Sequence, residues 1–387
     1  MASKAKLNKW LEFIIIIICF MAPMSVAVPW KWLKHSGDFS QCYATSYLMH
    51  TGSYSLIYNN TFSIPPIISW IFAPLAWFRI NLALGLWTAN SIIFMLLSYF
   101  MLCQSLGIRG AKRLWVAAFL GALGPFIMAV WHEQLTPLLF FALTGLFIAL
   151  KKRRPVQASI YQFLLWLKPY LLIPIIVYEL GAGQSNLVII TFLLAIIGLL
   201  LSCVLGGLPL LGNYWHLCMS YKMETSLLSI FQAFVLPNRA LRFFIPIDLY
   251  SAISIAIYLF LLIAAFFIGK QVRAKKLPLT VTLTSIVPLT LCLFSPSLDY
   301  DVLLIVPGIL LLAVSNIDGW LKYLKILLIL AIFGFLFLPD YLIIHSMSIS
   351  RSGIFSPFFW GSLAFALGAL IIERQQVEHN VTSIDAV

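Results

Sequence analysis

Long apolar runs alternate with short polar segments along most of the chain, and many of the runs approach the length of a membrane-crossing helix. The runs are about 11–29, 82–105, 114–131, 136–150, 187–205, 248–269, 278–294, 301–315, 320–338 and 354–372. A further apolar piece, 155–181, is interrupted at Lys168-Pro169, where proline lacks the amide hydrogen that a continuous helix needs. The pattern predicts an all-α protein that crosses a membrane many times.

Basic clusters between the apolar runs predict the topology. The clusters are Lys4–Lys9, Arg109–Arg113, Lys151–Arg154, Lys270–Lys276 and Lys322–Lys325. All of them lie in the cytoplasm, as the positive-inside rule requires, if 155–181 crosses twice with Lys168 at its outer turn. A single pass would put the Lys270–Lys276 cluster outside. The prediction is a bundle of about twelve transmembrane helices with both chain ends in the cytoplasm.

Two segments do not fit as spans. The apolar segment Pro65–Phe78 has both ends on the outer side, which favours an interfacial or re-entrant helix in the first outer loop of about 30–80. The segment 373–387 is mostly polar and is expected to be a disordered cytoplasmic tail. Residues 1–372 are accordingly predicted to form one membrane domain.

Composition agrees with a polytopic membrane protein and argues against other classes. Of 387 residues, 62% are hydrophobic and 10% are charged, and the mean hydropathy is +0.99. The net charge of +12 would suit a nucleic-acid-binding protein, but the basic residues form short clusters and no continuous stripe. No nucleic-acid partner is therefore expected. The six cysteines show no C-x-x-C spacing, so the sequence indicates no metal site and no cofactor.

Asp38 is the acidic residue with the most telling position. It follows the first apolar run, at the predicted outer membrane surface, and opens a polar stretch. A carboxylate beside a bilayer is costly unless it has a role, and such a group suits a general base. The competing interpretation is an N-cap for a helix that begins at Phe39.

Basic and aromatic residues on the outer side are candidates for binding an anion or a sugar. Lys168 suits a phosphate, although a lysine at this depth also extends its ammonium to the membrane surface. The same two interpretations apply to Arg239 and Arg242 in the outer loop of about 206–246, where arginines also bind lipid headgroups. Tyr58 could stack on a sugar ring or anchor the chain at the interface.

Two polar turns on the outer side supply further candidates. His132, Glu133 and Gln134 separate two apolar runs and could bind sugar hydroxyls, although turns are polar by default. Asp299 and Asp301 follow a Ser-Pro pair and could contact an acceptor hydroxyl. Capping of the run that begins near Asp301 explains the same residues equally well.

An ordered series of short motifs runs through about 10–310. It consists of Gly37-Asp38-Phe39, Tyr43, Pro65-Pro66, Pro74-Leu75, Leu86-Trp87, Gln134, Lys168-Pro169, Ser226-Leu227 and Ser295-Pro296 with Pro307. The series resembles the GT-C-type membrane glycosyltransferases that use polyprenyl-phosphate sugars, and most closely glycosyltransferase family 87, which includes α-mannosyltransferases. Where many members have His in the late Ser-Pro segment, this chain has Asp299-Tyr300-Asp301.

The resemblance implies a GT-C-like enzyme of a bacterial plasma membrane, with its chemistry on the periplasmic side and no metal requirement. Such an enzyme moves a hexose, of which mannose is the familiar case, or a pentose from a polyprenyl-phosphate donor to a hydroxyl of a lipid or glycan acceptor. Asp38 would be the general base, and Lys168, Arg239 and Arg242 would bind the donor phosphate. The departure in the late segment leaves the role of Asp301 open.

Two other function classes stay open. A surface-polysaccharide polymerase or ligase also has many spans and outward arginines, but such enzymes depend on arginines in later loops. A multi-pass transporter or lipid flippase needs polar groups inside the spans and commonly shows internal repeats, which this chain lacks. The acid in the first outer loop favours the glycosyltransferase.

Overall fold

A computed structural model describes residues 10–21, 38–57, 66–131, 133–224, 247–293, 299–315, 317, 319–337 and 357–385. All regular secondary structure in these ranges is helical, so the all-α prediction is confirmed for the described part of the chain. The predicted site residues Tyr58, His132, Arg239 and Arg242 lie outside the described residues.

Most helices coincide with apolar runs, whereas Asp38–His50 lies in the predicted first outer loop and Ser185–Glu224 extends beyond its run into the predicted loop of about 206–246. They are α1 Trp10–Met21, α2 Asp38–His50, α3 Pro66–Phe72, α4 Ile80–Ser105, α5 Ala111–Ala122, α6 Gly124–Trp131, α7 Thr136–Lys151, α8 Pro155–Leu165, α9 Pro169–Gly181, α10 Ser185–Glu224, α11 Ile247–Arg273, α12 Val287–Leu293, α13 Val306–Val314, α14 Trp320–Phe337 and α15 Pro357–Asp385. Short 3-10 helices cover Tyr54–Leu56, Ala73–Trp77 and Asp299–Ile305, and a π-helical segment covers Thr282–Ile286.

Membrane character is clearest in helices α4, α10 and α11. In the described ranges, the segments that are long and apolar enough to cross a bilayer are Ile80–Ser105, Ser185–His216 and Ala256–Arg273. The 26 residues of α4 extend about 39 Å, more than the hydrocarbon thickness of a membrane. Several other apolar helices, such as α7 and α13, are shorter than a standard span. The chain is thus a helical protein with the character of a membrane protein.

The break predicted in 155–181 is present. Helix α8 ends at Leu165, helix α9 begins at Pro169, and Lys168 between them is in an extended conformation with φ −131° and ψ 82°. This conformation follows from Pro169, whose ring disfavours a helical residue before it. The turn between the two helices therefore carries Lys168 at its end.

The apolar run 114–131, expected to form one span, is interrupted within the helix. Helix α5 ends at Ala122, Leu123 is extended with ψ 121°, and α6 restarts at Gly124. Pro125 is the physical reason, because it lacks an amide hydrogen and its ring clashes with the carbonyl one turn earlier.

The C-terminal part of helix α10 packs on residues 49–57. The helix is interrupted at Gly207, where φ is 74°, and Pro209 follows. Beyond this break Leu210 packs with Met49 and Ile57, and Asn213 Nδ2 donates to the Tyr54 carbonyl at 3.5 Å.

The first outer loop and the C-terminal segment complete the fold. Helix α3 and the 3-10 turn after it are too short to span a membrane, and the Tyr43 hydroxyl donates to the Phe78 carbonyl at 2.8 Å, which ties α2 to the end of this segment. The expectation of a disordered tail from residue 373 is wrong, since helix α15 continues to Asp385. The Thr284 hydroxyl donates to Glu373 at 2.8 Å, and this contact with the π-helical segment anchors the polar extension of the helix.

Candidate functional site

Lys168 and Asp301 form an ion pair although 133 residues separate them in sequence. Lys168 Nζ donates to Asp301 Oδ1 at 2.5 Å. The Asp301 side chain is fully buried, and only 14% of the Lys168 side chain is exposed. Little water competes with a charge-assisted bond at such a position, so this pair holds the α8–α9 turn to the 3-10 helix Asp299–Ile305.

Thr136 makes the same carboxylate a junction of three chain segments. Its Oγ1 donates to Asp301 Oδ1 at 2.9 Å, so one oxygen accepts a bond from the first residue of α7 and another from Lys168. The Thr136 side chain is fully buried. A buried carboxylate with a cation and a hydroxyl on one oxygen is held in a defined orientation, and it orients the Lys168 ammonium in turn.

Glu133 and Gln134 form the turn that leads into Thr136. The Gln134 amide donates to the Ala129 carbonyl at 2.8 Å and the Glu133 amide to the Val130 carbonyl at 3.2 Å. This is a Schellman ending of helix α6, and it places Glu133 in the left-handed region with φ 56°. Glu133 and Gln134 are 2% and 5% exposed. Glu133 is thus a buried glutamate in the left-handed region, three residues before the threonine that binds Asp301, and such backbone outliers cluster at functional turns.

Two other residues share the backbone conformation of Glu133 but not its environment. Arg153 and Lys275 have φ values of 52° and 57° and end their helices with the same pair of hydrogen bonds. Both are exposed basic residues at the helix ends that are predicted to be cytoplasmic. A left-handed residue at a helix end does not by itself indicate a functional site in this protein. Glu133 differs from Arg153 and Lys275 because it is an acid and is buried.

Asp38 begins helix α2 close to these turns in the packing of the chain. Its neighbour Phe39 is 1% exposed and belongs to an apolar cluster that also contains Leu135, and the partly buried Leu167 packs against the same cluster. Leu135 precedes Thr136, and Leu167 precedes Lys168. The start of α2, the start of α7 and the α8–α9 turn thus meet at one cluster. For Asp38 and Asp299 the structure describes the backbone alone: each is the first residue of its helix, one position after the N-cap, where a carboxylate still favours the positive end of the helix dipole.

Of the predicted residues, the structure pairs Lys168 with Asp301, while Glu133 and Gln134 lie in the turn that leads to Thr136, a partner of Asp301. Sequence reasoning missed Thr136, because a threonine at the start of a helix is so common that it carries no signal of its own. The Asp301 carboxylate already neutralises the Lys168 ammonium, so a bound phosphate would need additional positive charge. Arg239 and Arg242 remain the predicted source of that charge.

Sequence reasoning also gave no role to a second buried acid, Glu179 of α9. Its side chain is fully buried, and Gln162 Nε2 donates to its Oε2 at 2.5 Å. An acid within the apolar run Leu171–Leu180 was the available signal. Among the described residues, no three His, Cys, Asp or Glu side chains come together as a metal site.

Comparison of this chain with protein-family models, with curated proteins and with solved structures gives no match.

Proposed function

We propose that this protein is a polytopic membrane glycosyltransferase that transfers a sugar from a polyprenyl-phosphate donor to a hydroxyl of a lipid or glycan on the outer face of the membrane. The observation that carries the proposal is the buried Lys168–Asp301 pair, which lies at helix turns predicted to face outward and shares an apolar cluster with the start of the helix that bears Asp38. The motif series that resembles glycosyltransferase family 87 supplies both Asp38 and Lys168.

The reaction needs a base on one side of the sugar and a cation on the other. The acceptor oxygen attacks the anomeric carbon, its proton passes to the Asp38 carboxylate, and the bond from that carbon to the phosphate oxygen breaks. The polyprenyl phosphate leaves with the electron pair of that bond. Lys168, with Arg239 and Arg242, stabilises the charge that accumulates on the departing oxygen.

The remaining site residues orient these groups. Asp301 and Thr136 hold the Lys168 ammonium at the turn, and because an ammonium carries three N–H donors, a phosphate oxygen can bind Lys168 beside or in place of Asp301. Glu133, Gln134 and Asp299 are assigned to hydroxyl groups of the sugar or the acceptor, since carboxylate and amide groups bind hydroxyls well. His132 and Tyr58 complete the proposed surface for the substrates.

The proposed membrane arrangement has about twelve crossings, with the turn at Lys168 on the outer side. The break between α8 and α9 at Lys168 fits the double pass on which this count depends, and with 11 and 13 residues both helices are shorter than a standard span. The segment of α3 and its 3-10 turn lies at the outer interface in this arrangement. Its exposed Ile71 and Trp77 suit contact with lipid.

A transfer assay tests the proposal. Membranes that contain the protein are incubated with radiolabelled polyprenyl-phosphate mannose, another hexose donor and a pentose donor, and the label in lipid and glycan fractions is counted. We expect one donor to transfer label in wild-type membranes, and much reduced but still measurable transfer in Lys168→Met membranes. Equal transfer by wild-type and vector-control membranes for every donor contradicts the proposal.

A proton-coupled transporter is the second candidate, and one observation favours it. Glu179 is fully buried within the helical bundle, and buried acids in membrane proteins often carry protons. Glu179→Gln separates the two functions. This variant removes the proton site that a transporter would need, whereas a glycosyltransferase with its chemistry at Asp38 and Lys168 keeps its transfer activity.

A further inference from the structure

A buried chain of polar side chains links helices α8, α9 and α10. Thr191 Oγ1 donates to Gln162 Oε1 at 2.5 Å, and Gln162 Nε2 donates to Glu179 Oε2 at 2.5 Å. All three side chains are fully buried. None of them belongs to the site around Lys168, so the proposed reaction assigns no role to these three side chains.

The hydrogen bonds of this polar side-chain series all run in one direction, from Thr191 through Gln162 to Glu179, and this fixes the orientation of the Gln162 amide. A hydroxyl hydrogen of Thr191 occupies the oxygen end of the Gln162 amide, so the nitrogen end of that amide faces Glu179. A slip of α8 against either neighbour would separate a buried donor from its acceptor, which is unfavourable where water cannot replace the partner. The three helices are therefore held in one register.

Close glycine contacts hold the opposite face of helix α9. A Cβ placed at Gly269 of α11 would come within 2.1 Å of the Tyr178 carbonyl oxygen, and a Cβ at Gly181 would come within 2.2 Å of the Phe266 carbonyl oxygen. Backbone approaches backbone here, so α9 cannot shift toward α11. Glu179 on α9 then determines where α8 lies, since Gln162 of α8 is bound to it.

Helices α8 and α9 are the two arms that meet at the Lys168 turn. Gln162 precedes Lys168 by six residues and Glu179 follows it by eleven. The relative placement of the arms sets the position of the turn between them, and the turn brings Lys168 Nζ to Asp301. We propose that Glu179 is a positioning residue for Lys168: through Gln162 and Thr191 it fixes the hairpin so that the ammonium meets Asp301 and the donor phosphate. The kinetic part of this proposal rests on the proposed glycosyl transfer, whereas the placement of Lys168 does not.

The first test follows Lys168 directly and needs no activity. Purified protein in detergent is treated with an amine-acylating reagent, and the modification rate of each lysine is read by mass spectrometry, with the exposed Lys275 as internal reference. Glu179→Leu removes the acceptor for Gln162 and is expected to raise the rate at Lys168 several-fold relative to Lys275. Glu179→Gln keeps an acceptor oxygen and is expected to match wild type.

A matched control separates positioning from a general loss of stability. Glu373 of helix α15 is another buried acid, and it is bound by Thr284 rather than by the polar side chains of α8, α9 and α10. Glu373→Leu is expected to lower the melting temperature but to leave the Lys168 rate unchanged. A rate at Lys168 that is unchanged in Glu179→Leu, or raised equally in Glu373→Leu, overturns the proposal. If Glu179→Leu does not fold, Thr191→Val is used in its place. An unchanged modification rate at Lys168 in Thr191→Val also overturns the proposal.

The second test uses kinetics in a double-mutant design. We expect Glu179→Leu to lower kcat/KM for the donor roughly tenfold to a hundredfold, since small displacements of a substrate-binding group have effects of this size. In a Lys168→Met background the same substitution is expected to have no further effect on kcat/KM, because both substitutions remove the same contribution, the binding of the donor phosphate by Lys168. Independent, multiplying losses overturn the positioning role. Absence of transfer by the wild type, with the labelling result intact, contradicts the proposed function alone.

Discussion

The Lys168–Asp301 pair makes a strong prediction about stability. Lys168→Met leaves the Asp301 carboxylate fully buried with the Thr136 hydroxyl in place of a cation, and Asp301→Asn leaves a lysine that is 14% exposed. Removing one partner of a buried pair destabilises by about 3–5 kcal/mol, because the remaining charge is desolvated without compensation. We expect Lys168→Met to lie at the upper end of this range. Asp301→Asn should cost less, since Lys168 can turn toward solvent.

The double variant Lys168→Met/Asp301→Asn removes both charges and is expected to be more stable than Lys168→Met alone. If Lys168→Met costs about 5 kcal/mol, Asp301→Asn about 3 kcal/mol and the double change about 4 kcal/mol, the coupling is about 4 kcal/mol, well above what independent sites show. The assay is equilibrium unfolding of the purified protein in mixed micelles, followed by Trp fluorescence. Losses that simply add in the double variant would refute the pairing of these residues.

Three further substitutions test the neighbourhood of the pair and the helix contact behind it. Thr136→Val removes a hydrogen bond to a charged group and is expected to cost about 1.5–3 kcal/mol in the same unfolding assay, while Thr136→Ser should cost far less; equal losses would contradict the bond to Asp301. Glu133→Gly relieves a left-handed residue and is expected to stabilise by about 1 kcal/mol while it lowers sugar transfer. Arg153→Gly, the matched control for Glu133, should show the stabilisation without the loss of transfer, and full activity of Glu133→Gly would remove Glu133 from the substrate surface. Gly269→Ala brings a methyl group against the Tyr178 carbonyl and should destabilise by about 1–3 kcal/mol, so a neutral result would contradict the close contact of α9 with α11.

Local signals explain which parts of the fold could be predicted from the sequence. The chemistry of proline predicts the break before Pro169, which the structure confirms, and the same chemistry at Pro125 explains the interruption of the run 114–131, which was expected to be continuous. The polar composition of the segment after Glu373 predicts disorder, because the residue that binds Glu373 cannot be recognised from the local sequence. That residue, Thr284, is 89 residues away in sequence.

The candidate site shows the same division between local and distant information. Lys168 and Asp301 were each selected for their charge on the outer side, but nothing local indicated that they bind each other across the bundle. The left-handed backbone of Glu133 results from the way helix α6 ends, and the residue types around it do not predict it. The roles of Asp38, Arg239 and Arg242 remain predictions.

The central claim is that Asp38 takes the proton of the acceptor hydroxyl during sugar transfer. The most direct measurement is the initial rate of label transfer from a polyprenyl-phosphate sugar by purified wild-type protein, Asp38→Asn and the control Ser40→Ala, which changes the same turn of helix α2. We expect Ser40→Ala to keep transfer close to wild type and Asp38→Asn to lose at least about a hundredfold, the lower range of what a general base contributes, with an unchanged melting temperature. Transfer by Asp38→Asn at the rate of Ser40→Ala would contradict the account.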